Sequence, residues 1–328
     1  MSASRLSLAL DAGLFDLPDG PITIWGPGIQ TDLSAFPKEQ VALYSPWKPV
    51  VDALSTRGYR ISAELPKRTQ LSVVMLPRSK IEARGWIAAA AVRTAGPVVV
   101  DGQKTDGVDS HYRDLRKRAG VGAAFAKAHG KTFVIPPSAS FPDWAGAAEP
   151  GLYADDFQTV PGVFSYDRID PGSALLAATL PAKLGARVAD FGAGWGYLSR
   201  AILTRPDVGT LHLVEADHRA LTCARANVTD PRVRFHWADV STFAPEDPFD
   251  AVITNPPFHS GRAADPGLGQ TFLKAAALTL RPSGQLWLVA NRHLPYETML
   301  KETFRTVEEA AGDRAFKVLH ARGPRKAG

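Results

Sequence analysis

The chain reads as two α/β domains, the second a mostly parallel, doubly wound sheet. Three observations predict this. Short apolar runs alternate with stretches of helical spacing along the C-terminal half, which is the rhythm of strand–helix–strand crossovers. Two of those runs end abruptly, one in the glycine-rich "DFGAGWG" (190–196) and one in "NPPF" (255–258). The N-terminal half repeats the rhythm, and "PPSASFPDWAGAAEPG" (136–151), rich in Pro, Ala, Ser and Gly, reads as the linker.

In the C-terminal half, "ARVADFGAG" (186–194) is a strand running into glycines. "YLSRAILTR" (197–205) spaces Leu198, Ala201, Ile202 and Arg205 as on a helix. "GTLHLVEAD" (209–217) is a second strand, followed by the helical "HRALTCARANV" (218–228). "VRFHWADV" (233–240) is the third strand and "FDAVITNPPF" (249–258) the fourth. "QTFLKAAALTL" is a helix, "GQLWLVAN" (284–291) a fifth strand, "YETMLKETF" a helix and "AFKVLHAR" (315–322) a closing strand. The two late strands are compatible with an antiparallel edge. In the N-terminal half, "GPITIWGPG", "QVALYSPW", "LSVVMLPRS" and "GPVVVDGQ" are strand-like, with the helical "KIEARGWIAAAAVRTAG" between the last two. Strand, proline stop, loop and helix follow one another in both halves. The first half lacks a glycine-rich turn, and Leu-Pro-Arg stands where the second has Asn-Pro-Pro-Phe. It reads as a degenerate copy or as an unrelated α/β domain.

Composition narrows the function classes. The 328 residues are 45% apolar and 22% charged, with net charge +5 and a pI near 9.3. This is an ordinary globular chain, basic enough to permit a nucleic-acid partner. One cysteine, Cys223, excludes an internal disulfide framework and any multi-cysteine zinc site. The eight histidines lack ligand-like spacing, so no metal is expected. No apolar stretch approaches a membrane span, and the N-terminus lacks a signal-type apolar region, so a soluble cytoplasmic protein is expected.

Several strand ends carry chemistry. After Asp190, Gly192, Gly194 and Gly196 let the backbone turn tightly and approach a ligand at a helix N-terminus. Alone this fits a dinucleotide loop or a structural turn. Glu215 ends the second strand, 25 residues after Asp190, where a carboxylate can accept from two ribose hydroxyls. Asp239 ends the third strand, where an adenine amino group could be read. Each acid also reads as a solvated strand-end residue. Together with Asn255 they lie at the C-terminal ends of successive strands, where open α/β sheets bind ligands. The two prolines after Asn255 stop the fourth strand, because neither donates a ladder hydrogen bond. A structural Asn-Pro turn is the alternative there.

This pattern resembles the class I S-adenosylmethionine-dependent methyltransferases. "VFSYDRIDPGSALL" (163–176), "TNPPFHSG" (254–261), "VANRHLPYETMLKETF" (289–304) and "FKVLHA" (316–321) further resemble the RsmC-type ribosomal RNA guanine-N2 methyltransferases. In the N-terminal half, "VVVDGQKTDGVDS" (98–110) resembles that family's counterpart.

The resemblance implies a Rossmann-like, mostly parallel seven-stranded catalytic domain over 150–328. It implies a degenerate methyltransferase-like, RNA-binding domain over 1–145. S-adenosylmethionine would be held by Asp190, Phe191, Gly192, Gly194, Gly196, Glu215, Ala216, Asp239 and Asn255. Asn255, Pro256, Pro257 and Phe258 would form the catalytic tetrapeptide. Asn255 Oδ1 and the Pro256 carbonyl would hold the two hydrogens of a planar amine, and Phe258 would stack on its ring. Phe164 and Tyr166 are candidates to cover the cofactor or the base, with a place in the core as the alternative. The expected substrate is ribosomal RNA or a ribosomal subunit, met by a monomer. The family carries Cys where Ala193 stands, at a position of mostly backbone contact. Rivals are a protein glutamine-N5 methyltransferase and a non-catalytic ribosome-assembly or RNA-binding factor.

Residues 57–131 hold fifteen Lys/Arg against six Asp/Glu. "HYRDLRKR" (111–118) places Arg113, Arg116, Lys117 and Arg118 together. They are expected to track RNA phosphates, with a solvated helix face as the alternative.

Overall fold

A computed structural model describes residues 4–257 and 266–325; Phe258, expected to stack on the substrate, lies outside them. The chain divides into two compact units, Met1–Pro150 and Gly151–Gly328.

The first unit carries α1 (Arg5–Asp11), β1 (Ile22–Trp25), β2 (Val41–Tyr44), α2 (Lys48–Thr56), β3 (Arg60–Ser62), β4 (Leu71–Met75), α3 (Lys80–Arg93), β5 (Val98–Gln103), α4 (Val108–Ala119), β6 (Phe125–Lys127), β7 (Gly130–Ile135) and α5 (Pro142–Ala147). Its strands lie in the order β3-β2-β1-β4-β5-β7-β6. The second unit carries β8 (Gly151–Ala154), β9 (Phe157–Thr159), α6 (Pro171–Thr179), β10 (Arg187–Phe191), α7 (Tyr197–Leu203), β11 (Thr210–Glu215), α8 (His218–Asn227), β12 (Val233–Trp237), β13 (Phe249–Thr254), α9 (Pro266–Thr279), β14 (Leu280–Asn291), α10 (Tyr296–Thr303), β15 (Phe304–Gly312) and β16 (Phe316–Pro324). Its main sheet has the order β12-β11-β10-β13-β14-β16-β15. The two seven-stranded sheets therefore share one permutation, parallel except for the antiparallel strands at one edge. The first unit is thus an α/β domain with the strand order of the second.

In the second unit both faces of the sheet are covered, which is why its central strands are continuously apolar. Residues of one parity, such as Phe191, Val252, Leu286 and Leu288, pack with Leu273 and Ala276 of α9 and Leu300 of α10. The other parity, Val188, Leu211, Leu213, Ala251 and Ile253, packs with Leu176, Leu198, Ile202 and Leu221. All six residues of β13 are buried. The chain leaves β10 toward β11 and β12, then returns to β13 on the other side of β10. That reversal opens a crevice at the C-terminal tips of β10 and β13.

Several elements differ from the sequence reading, among them α5, β15 and the β6–β7 hairpin. The stretch read as a linker contains α5, where Phe141 and Trp144 are buried and stack 5.0 Å apart. Its small residues suggest a linker, but the two aromatics three apart anchor it on the first unit's core. β15 follows directly on α10 and has mostly exposed residues, so it shows no apolar alternation. β6 and β7 form a hairpin after α4 that the sequence reading does not include; β6 is only three residues long and mostly exposed.

The first unit also buries an ion pair. Arg5 Nε and Nη2 donate to the two oxygens of Asp101, each at 2.7 Å, and Thr132 Oγ1 donates to Oδ1 at 2.6 Å. Removing one partner of such a pair strands a charge in the core. Arg5→Ala is expected to cost about 3–5 kcal/mol, read as a lower denaturant midpoint. A loss under about 1 kcal/mol would make the pair no stronger than a surface bridge.

Candidate active site and a basic cleft

The glycine turn leaves β10 directly. Gly192 and Ala193 donate backbone N–H groups to Val214 O on the neighbouring strand, at 2.9 and 3.2 Å. Gly192, Gly194 and Gly196 have φ of 70°, 56° and 95°, the region where side chains other than glycine are strained. A Cβ at Gly192 would meet Phe272 at 2.9 Å and one at Gly196 would meet Val228 at 2.8 Å. At Gly194 a Cβ would meet open space. Packing thus explains two of the glycines, while the third borders a cleft.

Two buried carboxylates flank this turn. Glu215, at the tip of β11, accepts from Gly194 N–H at 2.8 Å and from Asp217 N–H at 2.7 Å. Asp190 is fully buried; its Oδ2 accepts from Ser199 Oγ at 2.7 Å, while Oδ1 is buried without a partner. Burial, with the Glu215 charge nearby, pushes Asp190 up to about 7. Burial, with the Asp217 charge nearby, pushes Glu215 up to about 7 as well.

Asn255 follows β13 and faces the same cleft, which is lined by Phe164, Asp170, Ser173, Gly194, Trp195 and Asn255 among others. Its Nδ2 donates to Asp170 Oδ2 and to Ser173 Oγ, each at 2.9 Å. Among the described residues, no hydrogen bond to its amide oxygen is seen. Phe164 is 63% exposed at the lip of the cleft, and its carbonyl accepts from Trp195 Nε1 at 3.0 Å.

Other expected site residues do not line that cleft among the described residues. The Phe191 ring is fully buried against Phe243 and Phe249, so only its backbone is near the turn. Tyr166 does not line the cleft among the described residues; it packs edge-on to Tyr153 and onto the small core around Phe157 and Trp195. Asp239 follows β12 and closes a turn by accepting from Ser241 N–H at 2.8 Å. Ala216 accepts at its carbonyl from Trp237 Nε1 at 2.9 Å. Pro256 is buried and Pro257 half-buried. Sequence reasoning missed Asp170, Ser173 and Ser199. The first two were visible as the helix-start signal Asp-Pro-x-Ser, but nothing in the sequence tied them to Asn255.

The first unit has a cleft of its own, about 920 Å³. It is lined by Lys104, Arg113, Arg116, Lys117, Lys127 and Lys131, with Tyr112 and Asp109. Lys131 is paired with Asp109 at 2.8 Å. Arg118 does not join the cleft. It donates to Asp143 at 2.9 Å and lies over the Trp144 ring, because its position on α4 faces α5. The counterpart of the second unit's crevice is closed here. Where the second sheet's tips carry Asp190, Glu215 and Asn255, the first sheet's carry Trp25, Tyr44 and Leu76, and Trp86 packs against Tyr44. A Cβ at Gly26 would meet Trp86 at 2.3 Å.

The raised carboxyls have a stability consequence. A buried acid whose folded pKa lies above its unfolded value destabilises the fold as pH climbs from about 4 toward 7, and the penalty is complete above that. Asp190→Asn keeps an acceptor for Ser199 and removes the charge. Without ligand, its thermal midpoint is expected to exceed that of the wild type by a few degrees at pH 8. The gain should shrink toward pH 4. An equal or lower midpoint at pH 8 would contradict the buried charge.

Known proteins share this chain's sequence pattern and fold. The profile of the Methyltransferase small domain family matches residues 155–320. Ribosomal RNA small subunit methyltransferase C of Hahella chejuensis is 31% identical over 271 residues, covering 80% of this chain and 77% of the relative. The protein of the same name from Salmonella paratyphi B is 33% identical over 230 residues, covering 70% of this chain and 63% of the relative. The T. thermophilus 16S rRNA N2 methyltransferase RsmC, solved with AdoMet and guanosine, superposes with a TM-score of 0.81. That match is at 25% identity over 98% of this chain and 92% of the other. The chain therefore belongs to the Methyltransferase small domain family, as an RsmC-type member.

Proposed function

We propose that the protein transfers a methyl group from S-adenosylmethionine to the exocyclic N2 amine of a guanine in small-subunit ribosomal RNA. The observation that carries this reading is the Asn255 amide in the lining of the cleft, tethered through Nδ2 to Asp170 and Ser173, which leaves Oδ1 as the atom that can accept. The cofactor's site fits what is present. Gly194 opens on space, and Asp190 Oδ1 is a buried polar atom awaiting a partner. Gly192, Gly194 and Gly196 would admit the cofactor, Glu215 would take its ribose hydroxyls on the lone pairs left beside Gly194 and Asp217, and Asp239 would read its adenine.

When bound, S-adenosylmethionine supplies an electrophilic methyl on a sulfonium. The chain's part is orientation. An exocyclic guanine amine is a poor nucleophile, because its lone pair is delocalised into the ring. Asn255 Oδ1 and the Pro256 carbonyl accept its two hydrogens and aim the lone pair along the line of transfer. Pro256 and Pro257 lack backbone N–H groups, so no donor competes at that strand tip. Phe164, exposed at the lip, offers a face for the base, which has to leave its stack to enter. Transfer would break the sulfonium's S–CH3 bond, leaving a neutral thioether, as the new N–C bond forms, and the amine would lose one proton to solvent.

The basic cleft of the first unit supports RNA binding by that unit. Its cations converge around an aromatic ring, while the crevice that would hold a cofactor is filled by Trp25, Tyr44 and Trp86.

Asn255→Ala is expected to lower single-turnover methyl transfer by roughly 10²-fold or more. Cofactor affinity by calorimetry should stay near wild type. A variant that keeps most of its rate would remove the amide clamp from the mechanism.

Replacing Arg113, Arg116 and Lys117 together by Ala should weaken RNA binding and flatten its salt dependence. The slope of log K against log salt should fall in magnitude by up to about 0.9 for each duplex phosphate no longer neutralised. Arg118→Ala should leave that slope unchanged, since its guanidinium is engaged by Asp143 and Trp144. Equal slopes for the triple variant and the wild type would make the cleft a solvated surface.

A further inference from the structure

Asn255 can accept from a substrate amine only while its amide oxygen faces the cleft. An asparagine amide is nearly symmetric in shape. Turned over, it would present the donor Nδ2 to an amine that itself brings only N–H groups. The fold has to choose between two side-chain states that differ little in size, and the choice is made 85 residues upstream in the chain.

The choosing group is the entry to α6. Asp170 Oδ2 accepts from Asn255 Nδ2 at 2.9 Å and from the Ser173 backbone N–H at 2.8 Å. Ser173 Oγ accepts from the same Asn255 nitrogen at 2.9 Å. An ionised carboxylate oxygen can only accept. A turned-over amide would therefore set Asn255 Oδ1 against Asp170 Oδ2, acceptor against acceptor. Asp170 cannot easily yield, because it is the N-cap of α6, with Pro171 fixing the first helical residue behind it. Ser173 is itself buried. The helix start is thus a rigid jig, and the asparagine is the part it holds.

We propose that Asp170, assisted by Ser173, is the positioning residue that keeps the Asn255 amide in its accepting orientation. The inference rests on the reading of this cleft as an amine-methylating site. It also explains why Asp is used at this cap. Serine caps a helix about as well, but its oxygen sits one bond nearer the backbone and falls short of Asn255. Capping alone does not require an accepting oxygen at that reach; holding Asn255 does.

The distinction supplies the test. Asp170→Ser keeps the cap and drops the tether, while Asp170→Asn keeps an accepting Oδ1 for both donors. We expect Asp170→Ser to lower single-turnover methyl transfer about 10- to 100-fold. Its cofactor affinity and thermal midpoint should be close to wild type, with the loss in kcat rather than KM. Asp170→Asn should retain most of the rate. In an Asn255→Ala background, Asp170→Ser should have little further effect, because it acts through Asn255. The ¹⁵N signal of the Asn255 side-chain amide reads the tether without reference to any acceptor, and its protons should exchange faster in Asp170→Ser. If the wild type methylates no guanine amine yet that exchange quickens, the proposed reaction fails and the tether stands. A folded Asp170→Ser variant with full transfer rate, or with an unchanged Asn255 amide signal, overturns the proposal.

Discussion

Two carboxylates buried at the tips of adjacent parallel strands constrain everything around them. Asp190 and Glu215 are both held in surroundings that disfavour their charge. A fold pays such a penalty only where the groups are otherwise satisfied or await a ligand. Glu215 is largely satisfied, since both oxygens accept from backbone N–H groups of Gly194 and Asp217. That arrangement in turn requires the turn after β10 to come close to β11, which glycine permits. Asp190 is satisfied only in part, through Ser199. The positive φ values, the close approach of Phe272 to Gly192 and the placement of α7 follow from building a turn around these acids.

The two sheets with one strand order show what happens when that constraint is released. In the first unit no acid stands at the tips of β1 and β2, and large rings occupy the region instead. Trp25 is fully buried, Tyr44 lies 5.1 Å from it, and Trp86 meets Tyr44 edge-on. An aromatic cluster of this kind contributes packing where the second unit keeps strained polar groups and open space. The unit retains its architecture and presents a different surface, a basic cleft between α4 and the β6–β7 hairpin.

The parallel core of the second unit was legible in the sequence because burial on both faces leaves continuous apolar runs, as in β13 and the centre of β14. The site's strand-tip residues were legible because glycines, acids and prolines interrupt those runs at fixed places. β15 was not, since an exposed edge strand has no face to pattern. α5 was hidden by its small residues, although Phe141 and Trp144 carried the signal. Tyr166 takes the core place that was its alternative, and Arg118 faces an acidic partner, for a related reason. Each lies beside residues of the expected type, but a local core or an acidic partner captures the side chain. The link from Asp170 to Asn255 could not be read at all, because it joins a helix cap to a strand tip across 85 residues.

The central claim is that the cleft presents acceptors to a guanine amine. Its most direct test is to incubate the protein with small-subunit ribosomal RNA, free and in assembled subunits, and S-adenosylmethionine carrying a labelled methyl group. The RNA is then digested and the labelled nucleoside identified by mass spectrometry. The account predicts label on the N2 atom of a single guanine. Label on a ring nitrogen, a ribose hydroxyl or a base other than guanine would contradict it.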